Sequence, residues 1–368
     1  MESLVSKGFS QKAQFWNGKR VFVTGHTGFK GSWLCAALHA NGAIVKGYAL
    51  EPIYKLNTFD ALRLKSKIES EIGDIRDQAA LSKSVKKFKP EIIIHLAAQP
   101  LVRQSYLEPV ETYTTNIMGT VNLLEAVANC ETAQTVVNVT TDKVYENIDQ
   151  IWGYRENDRL GGHDPYSSSK ACSDLITTAY ARSFLDNKGM GIATARAGNV
   201  IGGGDWSRDR LVPDILRAIS QNSNLSIRFP RATRPWQHVI EPVMGYLQLA
   251  EKLYHKPQIY SSAWNFGPLR SDEKSVGWIV NELIKILKKD INVVYSTKNQ
   301  PHEANLLSLD VSKSMNLLDW HPKWDTGIAL QKVASWHEAF DTQQDMFNVS
   351  LEQLNEYLVE CKENSHDG

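Results

Sequence analysis

Residues 19–34 read KRVFVTGHTGFKGSWL. The β-branched run that ends at Gly25 has the character of a buried strand. The stretch SWLCAALHANG that follows has helical spacing and stops at Gly42. Gly25, Gly28 and Gly31 therefore stand at three-residue intervals between a first strand and a first helix. That position gives each glycine a task. Gly25 makes the tight turn, Gly28 lets backbone come close to a ligand, and Gly31 lets the helix pack on the strand. The helix start adds free N–H groups and the positive end of its dipole, a natural seat for a pyrophosphate. Glycine triplets also make ordinary turns, but here the context points to a dinucleotide. His26, Thr27, Phe29 and Lys30 occupy the intervening positions and are expected to line the cofactor with the glycines. No Arg immediately follows the second strand to take a 2′-phosphate, which favours NAD over NADP. Glu51 is only a weak candidate for the adenosine ribose.

Working outward, the same alternation continues. AIVKGYAL (43–50), SKIESEIGD (66–74), EIIIHLAA (91–98), QTVVNVTT (134–141) and GIATARAGN (191–199) read as strands. Long amphipathic helices are expected over 109–130 and from about 165 to 187. Strands alternating with helices mean a parallel sheet covered on both faces, a doubly wound α/β arrangement of the Rossmann type. Beyond Ile201 the rhythm breaks into Gly- and Pro-rich loops with shorter helices. We therefore expect a cofactor domain over 1–198, with contributions from about 233–267. A smaller mixed α/β substrate-binding part covers 199–350, mainly 199–232 and 268–350, and a polar tail covers 351–368.

Composition narrows the partners. Among 368 residues, Lys plus Arg (41) equals Asp plus Glu (41), so no charge excess suggests nucleic acid or an anionic membrane surface. Cys35, Cys130, Cys172 and Cys361 lie far apart and have no metal-ligand spacing. They read as thiols of a reducing cytosol, with no metal expected. The first residues lack the apolar core of a signal peptide, and no apolar run has membrane-spanning length. A cytoplasmic protein is the expectation.

Ligands of such sheets sit beyond the C-terminal strand ends. Asp74 and Ile75 end the third strand, where an adenine would lie. Leu96, Ala97 and Ala98 end the fourth, small enough for close approach, with Gln99 and Arg103 beyond. The fifth ends in Thr140, Thr141, Asp142 and Lys143, four polar groups in a row. In HDPYSSSKACSD, Tyr166 and Lys170 stand four residues apart on one helix face. An ammonium about 4 Å from a phenol at effective dielectric ~20 stabilises the phenolate by about 4 kcal/mol, or roughly three pKa units. The pair is thus expected to make a base. Ala197 ends the sixth strand.

Together the glycine turn, GDIRD, HLAA, the strand-end Thr141 and Tyr166-x-x-x-Lys170 resemble the extended short-chain dehydrogenases/reductases that act on nucleotide sugars. The resemblance covers nearly the whole chain. RAGNVIGGGDW, DRLVPDI, RPWQHVIEP, WNFGP and the closing LDVSKSMNLLDWHPKWDTGIALQKVASWH are similar to the substrate-binding part of 4,6-dehydratases. The wording of TTDKVYEN, GNVIGGGDWS and PRATRPWQHVIEP is most similar to the branch acting on CDP-glucose. Base preference rests on that resemblance alone. The resemblance implies NAD as cofactor, Tyr166 as base at the 4-hydroxyl, Thr141 beside it, and Lys170 on tyrosine and nicotinamide ribose. Asp142 becomes the acid at the 6-hydroxyl. Many relatives carry Glu, their C5 base, where this chain has Lys143. An ordinary lysine ammonium, pKa ~10.4, must fall about three units to act as a base at neutral pH. Lys143 is thus either that base or a fixed cation stabilising the enolate. Asn199, Arg210, Arg234, Asn265 and His302 match substrate-contact positions. A homodimer through the two long helices is implied, with Val121, Leu124, Val127, Ile176, Tyr180 and Phe184 as its apolar residues. A 4-epimerase, a dehydratase for another nucleotide and a non-enzymatic dinucleotide sensor are the competing readings.

Overall fold

The structure, a computed structural model, describes residues 13–295 and 306–363. Seven strands form its main sheet: β1 (Arg20–Thr24), β2 (Ile44–Ala49), β3 (Glu69–Ile72), β4 (Ile92–His95), β5 (Thr135–Val139), β6 (Gly191–Ala197) and β7 (Ala263–Phe266). Their order is β7-β6-β5-β4-β1-β2-β3, and every pairing is parallel. The chain winds outward from β1 to β3 and then back past β1, so the switch point lies between β1 and β4. There Thr24 registers with His95. β4, β5 and β6 are buried along their whole length, because helices cover both faces; this is why they read as continuous apolar runs.

The helices that position the site are α1 (Phe29–Ala40), α2 (Gln78–Phe88), α3 (Gly119–Ala128) and α4 (Pro165–Tyr180). Asp77 caps α2 by accepting from Ala80 N, and Asp164 caps α4 by accepting from Ser167 N, with Pro165 at the first helical position. The two helices expected to be long are interrupted. Pro109–Tyr113 reaches α3 through a π turn over Thr114–Met118, and α4 passes into another over Ala181–Leu185. Leu124 and Val127 are core residues covering the sheet. The apolar side chains this helix pair leaves exposed are Val110, Tyr113, Met118, Leu175 and Phe184.

The second part carries α5 (Leu211–Ser220), α6 (Ile240–His255), α7 (Val276–Leu287) and α8 (Thr326–Asp341) around two-stranded pairings. It has its own core, in which Val212, Ile215, Leu283 and Leu330 meet. The C-terminal stretch corrects the expectation of a polar tail from 351. Helix α9 (Met346–Glu363) places Leu354, Tyr357 and Leu358 in the main core with Leu34 and Leu38. The apolar stripe at helical spacing is diluted by polar neighbours, so composition hides it. Its anchor is Glu241, fully buried in α6, which accepts from the Lys323 and Trp324 amides and from the Tyr357 hydroxyl at 2.6 Å. No described helix is long and apolar enough to cross a membrane.

Candidate active site

The turn between β1 and α1 has the geometry its glycines require. Gly25 takes φ +79°, and a Cβ there would lie 2.7 Å from the Ala97 amide nitrogen. A Cβ on Gly31 would lie 2.1 Å from the Gly25 carbonyl oxygen. Gly28 would meet only that oxygen, at 3.3 Å, and no side chain caps the α1 start behind it. The result is an open cradle at a helix N-terminus that fits a pyrophosphate. Thr27 donates its hydroxyl to the Leu50 carbonyl and so ties the turn to the end of β2. His26 does not face the cradle. Its ring is buried under the turn, 2.7 Å from Ser70 Oγ and against Gly47, and burial pushes it down to about 4. Phe29 reaches Gly202 in the substrate part.

At the β4 end, Thr24 Oγ1 accepts from the Leu96 and Ala97 amides and lies 2.6 Å from His95 Nδ1. Ala97 is thereby held against Gly25, with Ala98 next along the chain. Gln99 departs from the expected cofactor role: its carboxamide is used on Leu101 and Thr112. Asp74 is gripped by the Arg76 guanidinium, which holds its carboxyl below the usual range. The Ile75 side chain is in the core.

The polar row after β5 enters a cavity of ≈ 390 Å³. Thr140 turns inward, donating to Asp174. Thr141, Asp142, Lys143, Tyr166, Lys30 and Ala197 line the cavity. The Thr141 hydroxyl donates to Asp142 Oδ1 at 2.9 Å and also bonds the Tyr166 phenol. Lys143 Nζ lies 3.7 Å from the same Asp142 oxygen. Asp142 is 1% exposed, and its Oδ2 is buried with no partner among the described residues. An acid, a cation and a phenol thus converge within one cavity.

Lys170 is brought to this strand end but not into the expected role of charge partner. Its ammonium donates to the Val139 carbonyl at 2.9 Å, and burial pulls it down to about 8 against the opposing effect of Asp174. Tyr166 is correspondingly high: burial pushes it up to about 12, opposed by Thr141 and Arg210 and assisted by Asp142 and Asp164. The expected lowering toward neutrality is absent because the burial cost outweighs the cations. Lys30 is pushed down to about 7 by burial and then by Arg210, with Asp142 opposing.

Among the substrate positions, Arg103, Asn199, Arg210 and Arg234 line the cavity. Arg210 pairs with the buried Asp205 at 3.0 Å, Arg103 with Asp209, and Arg234 is 3% exposed. Asn265 is structural instead. Fully buried, it accepts from the Tyr145 hydroxyl and donates to the Tyr154 and Asp310 carbonyls. His302 lies outside the described residues.

The pattern reading missed the ion pair beneath the site. Arg196 of β6 donates through Nε and Nη2 to the two oxygens of Asp174, at 2.9 and 2.8 Å, with both side chains about 97% hidden. Asp174 also receives Thr140 and Thr194, while Arg196 reaches the Tyr145 hydroxyl. A charged residue inside the apolar strand GIATARA, and an acid one turn after Lys170, were the available signals.

A doubly wound sheet with this turn and this cluster at its switch point defines a dinucleotide-dependent, extended-type dehydratase or epimerase. Residues 22–332 match the family of GDP-mannose 4,6 dehydratase, and the chain belongs to that family. It is 49% identical over 349 residues to the CDP-glucose 4,6-dehydratase of Salmonella typhimurium, covering 94% of this chain and 97% of the relative. In fold it is similar to a Thermotoga maritima UDP-glucose 4-epimerase solved with UDP-glucose (TM-score 0.77, 22% identity, 87% of this chain and 99% of the other). It is also similar to a Bacillus anthracis dTDP-glucose 4,6-dehydratase solved with NAD (TM-score 0.74, 24% identity, 90% of this chain and 100% of the other).

Proposed function

We propose that the protein is an NAD-dependent hydro-lyase that converts CDP-D-glucose into CDP-4-dehydro-6-deoxy-D-glucose. The observation that carries this reading is the buried Asp142 oxygen, without a partner among the described residues, in the same cavity as Tyr166 and Lys143. Removal of the 6-hydroxyl needs a placed acid; a 4-epimerase has no use for one. The likeness to the Salmonella typhimurium dehydratase supports the cytidine nucleotide.

The cradle of Gly25, Gly28 and Gly31 fits NAD, with Ala97 and Ala98 at its side and Asp74 toward the adenine. Bound there, NAD would supply reversible hydride acceptance, from C4 and back to C6. The chain's own residues move the protons. Tyr166, held by Thr141, is the base at the 4-hydroxyl once its own proton has left, an ionised form that Thr141 and Arg210 favour against burial, and Lys170 would orient the cofactor ribose. The 4-ketone acidifies C5. Either Lys143 takes that proton, or it stabilises the enolate while another group takes it; Asp142 protonates the departing 6-hydroxyl, and a proton returns to C5 as hydride reaches C6. Arg210 and Arg234 hold the diphosphate, for which guanidinium is a permanent, forked partner.

We read residues 13–198, with about 233–267 and helix α9, as the cofactor half, and the other described residues beyond 198 as the substrate half. We place the enzyme in the cytoplasm, supplying dideoxysugars for lipopolysaccharide O-antigen, as a homodimer joined through the exposed apolar residues of the two helices after β4 and β5. The test is to offer CDP-, dTDP- and UDP-glucose and GDP-mannose separately with NAD. Dehydration of CDP-glucose in preference to the others supports the assignment; preference for another nucleotide overturns its cytidine part.

A further inference from the structure

Resting on the reading of a cytidine nucleotide, we propose that Asp214 and Arg228 read the Watson–Crick edge of the cytosine. Both line the cavity that holds Asp142 and Tyr166. Arg210, which acts on Tyr166 through space, precedes α5, and Asp214 lies one turn further along that helix. Strand Leu225–Ile227 packs beside α5 and leads directly into Arg228 and Phe229. This part of the cavity is walled by apolar groups, among them Val212, Ile227, Val276 and the Phe229 ring. Such a slot suits a flat base.

Within those walls the polar groups have a definite sense. Asp214 Oδ1 accepts from Arg217 Nη1 at 2.5 Å, and Oδ2 accepts from no described residue. Arg228 is half-buried and makes no hydrogen bond or ion pair with a described residue. Burial raises the Asp214 carboxyl above its usual range, with Arg217 opposing and Asp209 assisting, and Arg228 adds a smaller pull toward the carboxylate. The cavity therefore offers one acceptor, held in place by Arg217, and one donor close enough to act on it electrostatically. Cytosine presents an amino donor at N4 followed by acceptors at N3 and O2, so a carboxylate opposite N4 and a guanidinium opposite N3 and O2 match it. Uracil and thymine invert the first two. Their O4 meets the carboxylate and their N3–H meets the guanidinium, both repulsive. Rejection thus comes from mismatched polar groups as well as from lost bonds.

The experiment is calorimetric binding of CDP, UDP and dTDP to the NAD-loaded wild type, to Asp214→Asn and to Arg228→Leu. The wild type is expected to favour CDP at least tenfold. Asp214→Asn, whose amide also donates, is expected to bring the CDP:UDP ratio close to one. Arg228→Leu is expected to weaken CDP more than UDP. Because Arg228 makes no bond to a described residue, that variant keeps the test valid if Asp214→Asn misfolds. A wild type that prefers CDP with both variants retaining its ratio overturns this inference and leaves the proposed reaction standing. A wild type without preference overturns the cytidine reading and this inference together.

Discussion

Tyr166 and Asp142 share Thr141 as a neighbour yet have separable tasks. Tyr166→Phe removes one oxygen from the cavity and leaves the glycine cradle untouched. Turnover is expected to fall by a factor of about 10² to 10⁴, the usual worth of a placed proton acceptor, with NAD affinity unchanged by calorimetry. Substantial residual activity would take Tyr166 out of the base role. Asp142→Asn keeps the shape but cannot give a proton. C4 oxidation should then proceed and stall, so that nicotinamide absorbance of the reduced form accumulates without 4-keto-6-deoxy product. Normal dehydration by that variant contradicts the assignment of the acid. The sequence pattern is informative for these residues because short-range spacing puts them together: a strand end and an i, i+4 pair. It fails for Asn265 and Gln99, since whether a carboxamide faces a ligand or satisfies backbone carbonyls depends on distant residues that spacing does not register.

At the scale of elements, the strand–helix alternation was readable from β1 to β6, most plainly at β4 to β6, because strands buried on both faces leave uninterrupted apolar runs. The breaks in the long helices were not, since a π turn leaves no compositional mark. The Arg196–Asp174 pair joins β6 to α4 beneath Lys170, and each charge depends on the other in an apolar surround. Arg196→Met strands a carboxylate that is 2% exposed and is expected to lower unfolding free energy by about 3–5 kcal/mol. The double variant Arg196→Met with Asp174→Leu is expected to recover most of that in denaturant titration. A double variant no more stable than the single one would show that the pair's value lies elsewhere than in mutual neutralisation.

For the whole molecule, α9 and its anchor make the C-terminal segment part of the main core. Glu241 is raised from 4.5 to about 7, first by burial, with the Trp324 amide and the Tyr357 hydroxyl opposing. A carboxyl raised on folding holds its proton longer in the native state, so stability falls as pH rises from about 4.5 to 7, by up to about 3 kcal/mol. Glu241→Gln cannot titrate, and its melting temperature should vary less over that range than the wild type's. Equal pH dependence in the two proteins would contradict the assignment. The overall winding was visible in the sequence, whereas this closure was not, because it joins residues more than a hundred positions apart.

The most direct measurement is the fate of CDP-glucose with NAD in deuterated water, followed by NMR. The account predicts a 4-keto-6-deoxy sugar that carries deuterium at C5, since the C5 proton leaves to a group of the chain and is replaced from solvent. A C4 epimer with unlabelled C5, or no reaction, would contradict the claim that the polar end of β5 carries an acid and a cation for dehydration.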